Sequence, residues 1–541
     1  MTERTTASIL LDELVLHGID TLYCLPGVQN DDFFDTLYDY RDRIRPVHVR
    51  HEQAAGYMAL GAAMATGRPQ AFCVVPGPGL LNACSALATA WSTNSPVFAL
   101  IGQIPSRAIG QGFGLLHELP DQLAITRVLT RFSARIERAE DARDTVRGAF
   151  SAMLNGRPRP VAVEVPLDVW KKSASVPYSD GPVEVVRPRL DMDAINRAVA
   201  LIAAAKHPMI VAGGGALYAP AELKQLAERV QAAVAVNRHA HGVIDDRHDL
   251  AITAPVAHRM WKDCDLAIGI GTRMQPPLQL WGRDAGLKVI RVDLDVEEMK
   301  RFGAPDIAIH ADVRDALPAL LNALQAQPNA SKRSQDIAAT KRAVIAEISS
   351  VLRPQAEWLA AIRAALPDDG IYIDELTQVG YVGRLIYPAH APRTYIASGY
   401  QGTLGWGYAT ALGVKMARPK QPVVLISGDG GFLFTATELA TAKRHGIAAI
   451  AVVFNDNAYG NVRRYQIENY NNRTIASDLA SPDFVKMSES FGISASRVTT
   501  PEALEVTLRQ MIAADAPAVI EVPIGDVPSP WKYVQLPKVR G

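Results

Sequence analysis

Short runs of Val, Ile and Leu recur along this chain, separated by Ala-rich stretches whose apolar residues return with helical spacing. That alternation is the pattern of parallel strands flanked by helices. Two polar stretches interrupt it. Lys171 to Pro188 reads KKSASVPYSDGPVEVVRP and Ala323 to Arg333 reads ALQAQPNASKR, both made of loop-favouring or small residues. They cut the chain into segments 1–175, 188–325 and 350–541, and 541 residues are too many for one core. The pattern predicts an α/β protein of three doubly wound parallel-sheet domains. No internal repeat is visible in the sequence.

The most specific segment is Gly428 to Gly460, GDGGFLFTATELATAKRHGIAAIAVVFNDNAYG. An apolar run, Val423 to Ile426, reads as a buried strand leading into a tight Gly-Asp-Gly-Gly turn. A helical stretch follows, then a second apolar strand, Ile447 to Phe454, which delivers Asn455-Asp456-Asn457 at its C-terminal end. Asp429 and Asp456 are one crossover unit apart, so both can stand on one edge of a parallel sheet. Two oxygen ligands there suit Mg²⁺, which takes one or two carboxylates together with phosphate oxygens. Gly428, Gly430 and Gly431 leave backbone N–H groups bare at a helix N-terminus, a place for phosphate. The segment therefore asks for a metal-bound diphosphate; an Asp-rich loop in a doubly wound domain is the plainer alternative.

Composition narrows the classes. Lys plus Arg and Asp plus Glu number 56 each, so charge gives no reason to expect nucleic acid or membrane as a partner. No apolar run is long enough to span a bilayer, and the start, MTERTTASILLDEL, has no signal-like core. The four cysteines, Cys24, Cys73, Cys84 and Cys264, are scattered and read as small buried residues. A soluble, reducing, cytoplasmic setting is the expectation.

The GDG unit, its spacer and the NDN triplet resemble the metal-diphosphate motif of thiamine-diphosphate (ThDP) enzymes. The order of segments resembles the pyrimidine-binding, middle and diphosphate-binding domains of the acetohydroxyacid (acetolactate) synthase-like branch, over almost the whole chain. The resemblance implies that Asp429, the Asp456 side chain and the Ala458 carbonyl hold Mg²⁺; the family usually has Asn where Asp456 stands. It implies that Gly428, Gly430, Gly431, Tyr459 and Gly460 lie against the cofactor. Thr377 and Gln378, after a strand ending near Asp374, take the place of residues on the diphosphate. In Gly402 to Gly407 (GTLGWG), Leu404 would wedge the cofactor into its bent shape and the Gly402 carbonyl would accept from its amino group. Pro76 to Gly79 and Gly102 to Pro105 match the branch as backbone shape.

In the first segment Val47 to Arg50 reads as a short strand, followed by His51-Glu52-Gln53-Ala54-Ala55 opening a helix of small residues. Glu52 matches the family glutamate that hydrogen-bonds N1′ of the aminopyrimidine. Burial should raise its pKa and suit it to sharing a proton; a helix-start glutamate favoured by the dipole is the bland reading. By the same resemblance Glu52 meets cofactor held by a neighbouring subunit, which implies a homodimer or homotetramer with active sites at the interface.

The pocket departs from aldehyde-releasing relatives. Val28 follows Pro26-Gly27 where they carry an acid or hydroxyl, and Val462 stands where they carry a glutamate. Without those relays the chain is expected to form or cleave a C–C bond next to a carbonyl through a C2-carbanion/enamine intermediate, as a 2-oxoacid decarboxylase/carboligase. A 2-hydroxyacyl(-CoA) or 2-hydroxyketone lyase is the alternative. His117, in IGQGFGLLHELPDQ, is the best candidate proton shuttle; Gln29, Gln111 and Gln122 are weaker pocket candidates. In the lid-like GNVRRYQIENYNNR, Asn461 and Tyr465 replace residues that the synthases use for their second 2-oxoacid. In the middle segment Gly213 to Gly215 and Gly269 to Arg273 follow strands, but glycine turns alone are weak evidence for a dinucleotide. An empty structural domain is favoured there over FAD or a CoA or ADP moiety.

Overall fold

A computed structural model of the chain describes residues 3–324 and 330–541. Most of the second polar stretch, 325–329, therefore lies outside the described residues. Three six-stranded parallel sheets carry the fold. The first is built from β1 (Thr21–Cys24), β2 (Arg45–His48), β3 (Gln70–Val74), β4 (Val97–Gln103), β5 (Ser133–Arg135) and β6 (Val161–Pro166), in spatial order β2-β1-β3-β4-β6-β5. The second comprises β7 (Pro208–Ala212), β8 (Ala233–Val236), β9 (Ala251–Thr253), β10 (Leu266–Ile270), β11 (Lys288–Asp293) and β12 (Ile307–His310), in order β9-β8-β7-β10-β11-β12. The third comprises β13 (Ile371–Asp374), β14 (Tyr395–Ala397), β15 (Val423–Gly428), β16 (Ala449–Asn455), β17 (Ser494–Arg497) and β18 (Ala518–Pro523), in order β14-β13-β15-β16-β18-β17.

The first and third sheets share one strand order, while the middle one has the order of a dinucleotide-binding domain. The two outer sheets are thus a structural duplication that the sequence does not display. Each sheet also has a point where the strand order reverses. Beyond the strand ends at that point lies the crevice where open α/β sheets bind ligands.

The helices that matter for the site are α1 (Glu52–Thr66), α2 (Pro78–Thr93), α3 (Gln378–Ile386), α4 (Gly407–Ala417), α5 (Asp429–Phe432) and α6 (Gly460–Asn469). Helix α1 is rich in Ala and Gly, and it packs on α4 of the third domain, which also carries Ala and Gly at the contact. The contact is backbone-close. A Cβ at Gly61 would lie 2.3 Å from the Thr410 carbonyl oxygen, and one at Gly413 would lie 2.0 Å from that of Met58. One apolar core runs through both domains here, from Ala55 and Met58 to Ala409 and Leu412. The small residues are the reason that two separate sheets dock as one body.

Two local readings change. The strand expected to reach Arg50 ends at His48, because the N–H groups of Arg50 and His51 bond to the Glu438 carboxylate instead of a neighbouring strand. The Gly-Asp-Gly-Gly turn is the first turn of helix α5, with Gly428 as its N-cap in extended backbone. Its glycines serve close approach: a Cβ at Gly431 would lie 2.9 Å from Glu375 Oε1.

Candidate active site

Strands β15 and β16 pair in register, Gly428 opposite Phe454, so Asp429 and Asp456 emerge side by side at the C-terminal edge of the third sheet. Asp429 is buried and its Oδ2 accepts from the Ser481 hydroxyl at 2.5 Å. Asp456 Oδ1 accepts from the Ala458 N–H at 3.2 Å, with Asn457 turned into left-handed backbone at φ 53°. Residues 477–479 brace this loop through Tyr459 N–H to Ser477 and Leu479 N–H to Asn457. The Ala458 carbonyl is left without a hydrogen-bond partner among the described residues. A Cβ at Gly460 would lie 2.0 Å from Asp456 Oδ2, so a larger residue there would displace that carboxyl.

Thr377 and Gln378, at the end of β13, close the other side. The Thr377 hydroxyl caps α3 by accepting from Gly380 N–H at 2.8 Å, and its methyl lies against Gly428. Gln378 Nε2 lies 3.1 Å from where a Gly460 Cβ would be, and its buried Oε1 has no partner. Burial raises the pKa of Asp429. That of Asp456 is raised to about 6, by burial first and then by the charge of Asp429. Two carboxylates held this close, with an idle carbonyl and an orphaned amide oxygen, fit a divalent cation and a phosphate. No group of three or more His, Cys, Asp or Glu able to hold a metal occurs among the described residues.

A residue that sequence reasoning missed ties this edge to the Gly402–Gly407 loop. Glu375, directly after β13, is fully buried. Its Oε1 accepts the Gly405 N–H at 2.6 Å and its Oε2 accepts the Ser427 hydroxyl. Gly402 and Gly405 both have left-handed backbone, φ 58° and 81°, which bends the loop over this carboxyl and leaves Leu404 half-buried at its crest. The only sequence signal is an acid immediately after an apolar strand, which is common at strand ends.

Burial pushes the Glu375 carboxyl up to about 7 against the hydrogen bonds that oppose it. Between the ordinary value near 4.5 and 7, the folded chain holds a proton that the unfolded chain has lost. Stability contributed by this group therefore falls as pH rises through that window, by about 3 kcal/mol in all. Thermal melts of Glu375→Gln should lose that slope between pH 5 and 7. A slope equal to that of the unmodified chain would refute it.

At the edge of the first sheet, His51 caps α1 by accepting from Gln53 N–H, and Glu52 follows as its first residue. Glu52 is half-buried within one chain, not buried as the sequence suggested. Its one partner is Asn82, whose Nδ2 donates to Oε2 at 3.0 Å. His117 sits in left-handed backbone, φ 70°, with Nδ1 3.2 Å from Gln29 Oε1. Gln29 is buried and its Nε2 donates to the Leu116 carbonyl at 3.1 Å, which fixes the amide. Gln122 bonds to Gly77, Gly102 and Glu164 and is framework rather than pocket. Val28 is 55 % exposed, and Gln111 is exposed beside Phe113.

Across from them, α6 has no buried residue, and Val462 and Tyr465 are about half exposed. Asn461 donates to the Tyr381 hydroxyl at 3.3 Å. Within one chain no hydrogen bond or ring contact among the described residues joins Glu52, His117, Val28, Gln29 or Gln111 to Asp429, Asp456 or α6.

The middle domain is roomier than the structural domain expected. The Gly213–Gly215 and Gly271–Arg273 turns meet at its switch point, so tightly that a Cβ at Gly213 would lie 2.2 Å from the Gly271 carbonyl oxygen. They line a cavity of about 380 Å³ together with Tyr218, Asp293, Asp312 and Arg393.

Comparison with known proteins gives a consistent result. Residues 4–125 match the family model described as thiamine pyrophosphate enzyme, N-terminal TPP binding domain; residues 195–320 match its central domain and residues 377–522 its C-terminal TPP binding domain. A probable 2-ketoarginine decarboxylase of Pseudomonas aeruginosa is 31% identical over 532 residues, 96% of this chain and 94% of that one. A probable acetolactate synthase large subunit of Methanocaldococcus jannaschii is 31% identical over 548 residues, covering 96% and 91%. The acetolactate synthase isozyme 1 large subunit of Escherichia coli is 28% identical over 534 residues, covering 96% and 94%.

Proposed function

This chain belongs to the thiamine-diphosphate-dependent enzymes, and we propose that within them it is a Mg²⁺-dependent decarboxylase/carboligase acting on a 2-oxoacid. When bound, the cofactor supplies a carbon that can carry negative charge next to a former carbonyl carbon. The chain's own residues do the rest. Asp429, Asp456 and the Ala458 carbonyl hold the metal. The N–H groups of Gly430 and Gly431, with Thr377 and Gln378, hold the diphosphate. Tyr459 and Gly460 close over it, and Gly402 and Leu404 set the bend of the cofactor. Glu52 holds a proton at the ring nitrogen N1′. His117, oriented by Gln29, moves a proton at the substrate oxygen.

Val28, Gln29, Gln111, Asn461, Val462 and Tyr465 form the substrate wall. The half-exposed Glu52 and the uncovered α6 are complementary needs, and a homodimer that brings one chain's α6 to another's Glu52 meets both. The observation that carries the reading is the in-register pair Asp429 and Asp456, with idle oxygens of Ala458 and Gln378 around it.

The test is direct. Purified protein is given pyruvate, longer 2-oxoacids and a guanidino-bearing 2-oxoacid, with and without ThDP and Mg²⁺, and CO₂ and products are followed by mass spectrometry. Cofactor-dependent CO₂ release is the expected outcome, and a coupled acyloin or acetohydroxyacid marks carboligation. Cofactor binding without CO₂ from any 2-oxoacid would move the assignment to a 2-hydroxyacyl or 2-hydroxyketone lyase. The middle-domain cavity favours a bound adenine nucleotide, FAD or the ADP part of CoA, over an empty domain. Visible absorption and equilibrium dialysis with each nucleotide decide between them.

A further inference from the structure

Glu438 is a fully buried carboxylate in the third domain, seven residues beyond Gly431 at the end of a short turn, Ala436–Glu438. Its partners lie in the first domain. Oε1 accepts the N–H of Arg50 at 3.0 Å and of His51 at 3.1 Å, and Oε2 accepts Arg50 N–H at 3.1 Å. The Thr441 hydroxyl also donates to Oε2. These are the two backbone amides immediately before Glu52, at the N-terminus of α1, where no intrahelical carbonyl can serve them. A second bond runs alongside, from Gln53 Nε2 to the Phe434 carbonyl at 3.1 Å.

The same segment, 429–438, begins at Asp429 and touches the Gly402–Gly407 loop, where the Thr435 hydroxyl donates to the Gly405 carbonyl at 3.3 Å. Glu438 thus joins the backbone that aims Glu52 to the segment that begins at the diphosphate edge. A buried carboxylate with no ion pair among the described residues, and only the more distant charge of Arg50 to offset burial, is costly to keep, and helix docking alone would be served by apolar side chains.

We propose that Glu438 is a positioning residue for Glu52, fixing the first turn of α1 so that the Glu52 carboxyl meets the cofactor ring. The proposal rests on the assignment of Glu52 made above. Without Glu438 two part-buried N–H groups lose their acceptor, and α1 can start in more than one way.

The test compares Glu438→Ala and Glu438→Gln with the unmodified chain. Glutamine keeps one acceptor oxygen for the two amides and can turn its NH₂ to Thr441, so it serves as the conservative rescue. In cofactor-free protein, hydrogen–deuterium exchange of the peptide spanning residues 47–56 should quicken about tenfold or more at Arg50 and His51 in Glu438→Ala. In Glu438→Gln it should stay near the unmodified rate. With ThDP and Mg²⁺ added, cofactor affinity should change little. Exchange of the cofactor's C2 proton, followed by NMR, should slow about tenfold in Glu438→Ala and recover in Glu438→Gln.

Unchanged amide protection in Glu438→Ala overturns the proposal, and so does weakened cofactor affinity with normal C2 exchange. Should the alanine variant not fold, faster amide exchange in Glu438→Asp, whose carboxyl is one carbon short, supports the proposal and unchanged exchange overturns it. Glu52→Gln is the control. If it leaves C2 exchange unaltered, the reading of Glu52 fails, while the cofactor-free exchange still reports on Glu438 alone.

Discussion

Glu52→Gln should lower turnover on the order of 10²-fold or more while the chain stays folded. The substitution keeps shape and keeps an oxygen for Asn82 Nδ2, the one side-chain partner that Glu52 has. It removes the carboxylate's ability to share a proton with a ring nitrogen, which an amide cannot do. Loss of charge at the first position of α1 costs about 0.3–1 kcal/mol through the helix dipole, too little to unfold the protein. Cofactor affinity, dominated by the diphosphate edge, should hold within a few-fold. The decisive comparison is turnover at saturating cofactor beside a thermal melt of the same sample. Near-normal turnover would sink the assignment of Glu52, and a collapsed melt would make it a structural residue.

Much of the candidate site was legible because its residues are local in sequence. Gly428 to Gly431 and Asn455 to Ala458 each sit directly after an apolar run, and register alone brings Asp429 and Asp456 together. Glu52 was legible for the same reason, as an acid at the first turn of a helix of small residues.

What was not legible depends on partners far along the chain. Glu375 is defined by the Gly405 N–H, 30 positions away, and Glu438 by Arg50 N–H, 388 positions away. Nothing in the sequence around either acid announces a backbone amide from another element. The duplication of strand order between the outer sheets is hidden likewise, because topology constrains where strands lie and not which apolar residues fill them. The cavity beside the middle domain escaped notice because its two glycine turns face each other across separate strands and its wall draws on the first domain, at Thr93 and Arg157, and on Arg393 from the third. The burial expected of Glu52 was inferred from the chemistry asked of it; in a single chain the residue is only half-buried.

Asp429→Asn should weaken Mg²⁺ binding by about 100-fold or more, and cofactor affinity with it, because the negative charge of a buried carboxylate ligand is lost and only a neutral amide oxygen remains. Asp456→Asn should act differently. In the metal-free protein Asp456 holds its proton up to about 6, by burial first and then by the charge of Asp429. From the ordinary value near 3.8 up to about 6, the folded chain binds more protons than the unfolded one, so metal-free stability falls as pH rises through that window. A cation reverses the balance: it must displace the proton, so apparent Mg²⁺ affinity should climb as pH rises toward 6 and level off above it.

Asparagine at 456 keeps an oxygen and drops the repulsion. Discounted for solvent screening, the metal-free protein should gain about 1 kcal/mol near neutral pH. That is about 2–4 °C in melting temperature for domains of this size. Its Mg²⁺ affinity should be lower by about tenfold, with much of the climb below pH 6 gone. Magnesium titrations in the presence of ThDP at pH 5, 6, 7 and 8, paired with metal-free melts, read all of these at once. If Asp429→Asn binds magnesium as tightly as the unmodified chain, the metal lies elsewhere. If Asp456→Asn keeps the full pH dependence, the proton that magnesium displaces belongs to another group.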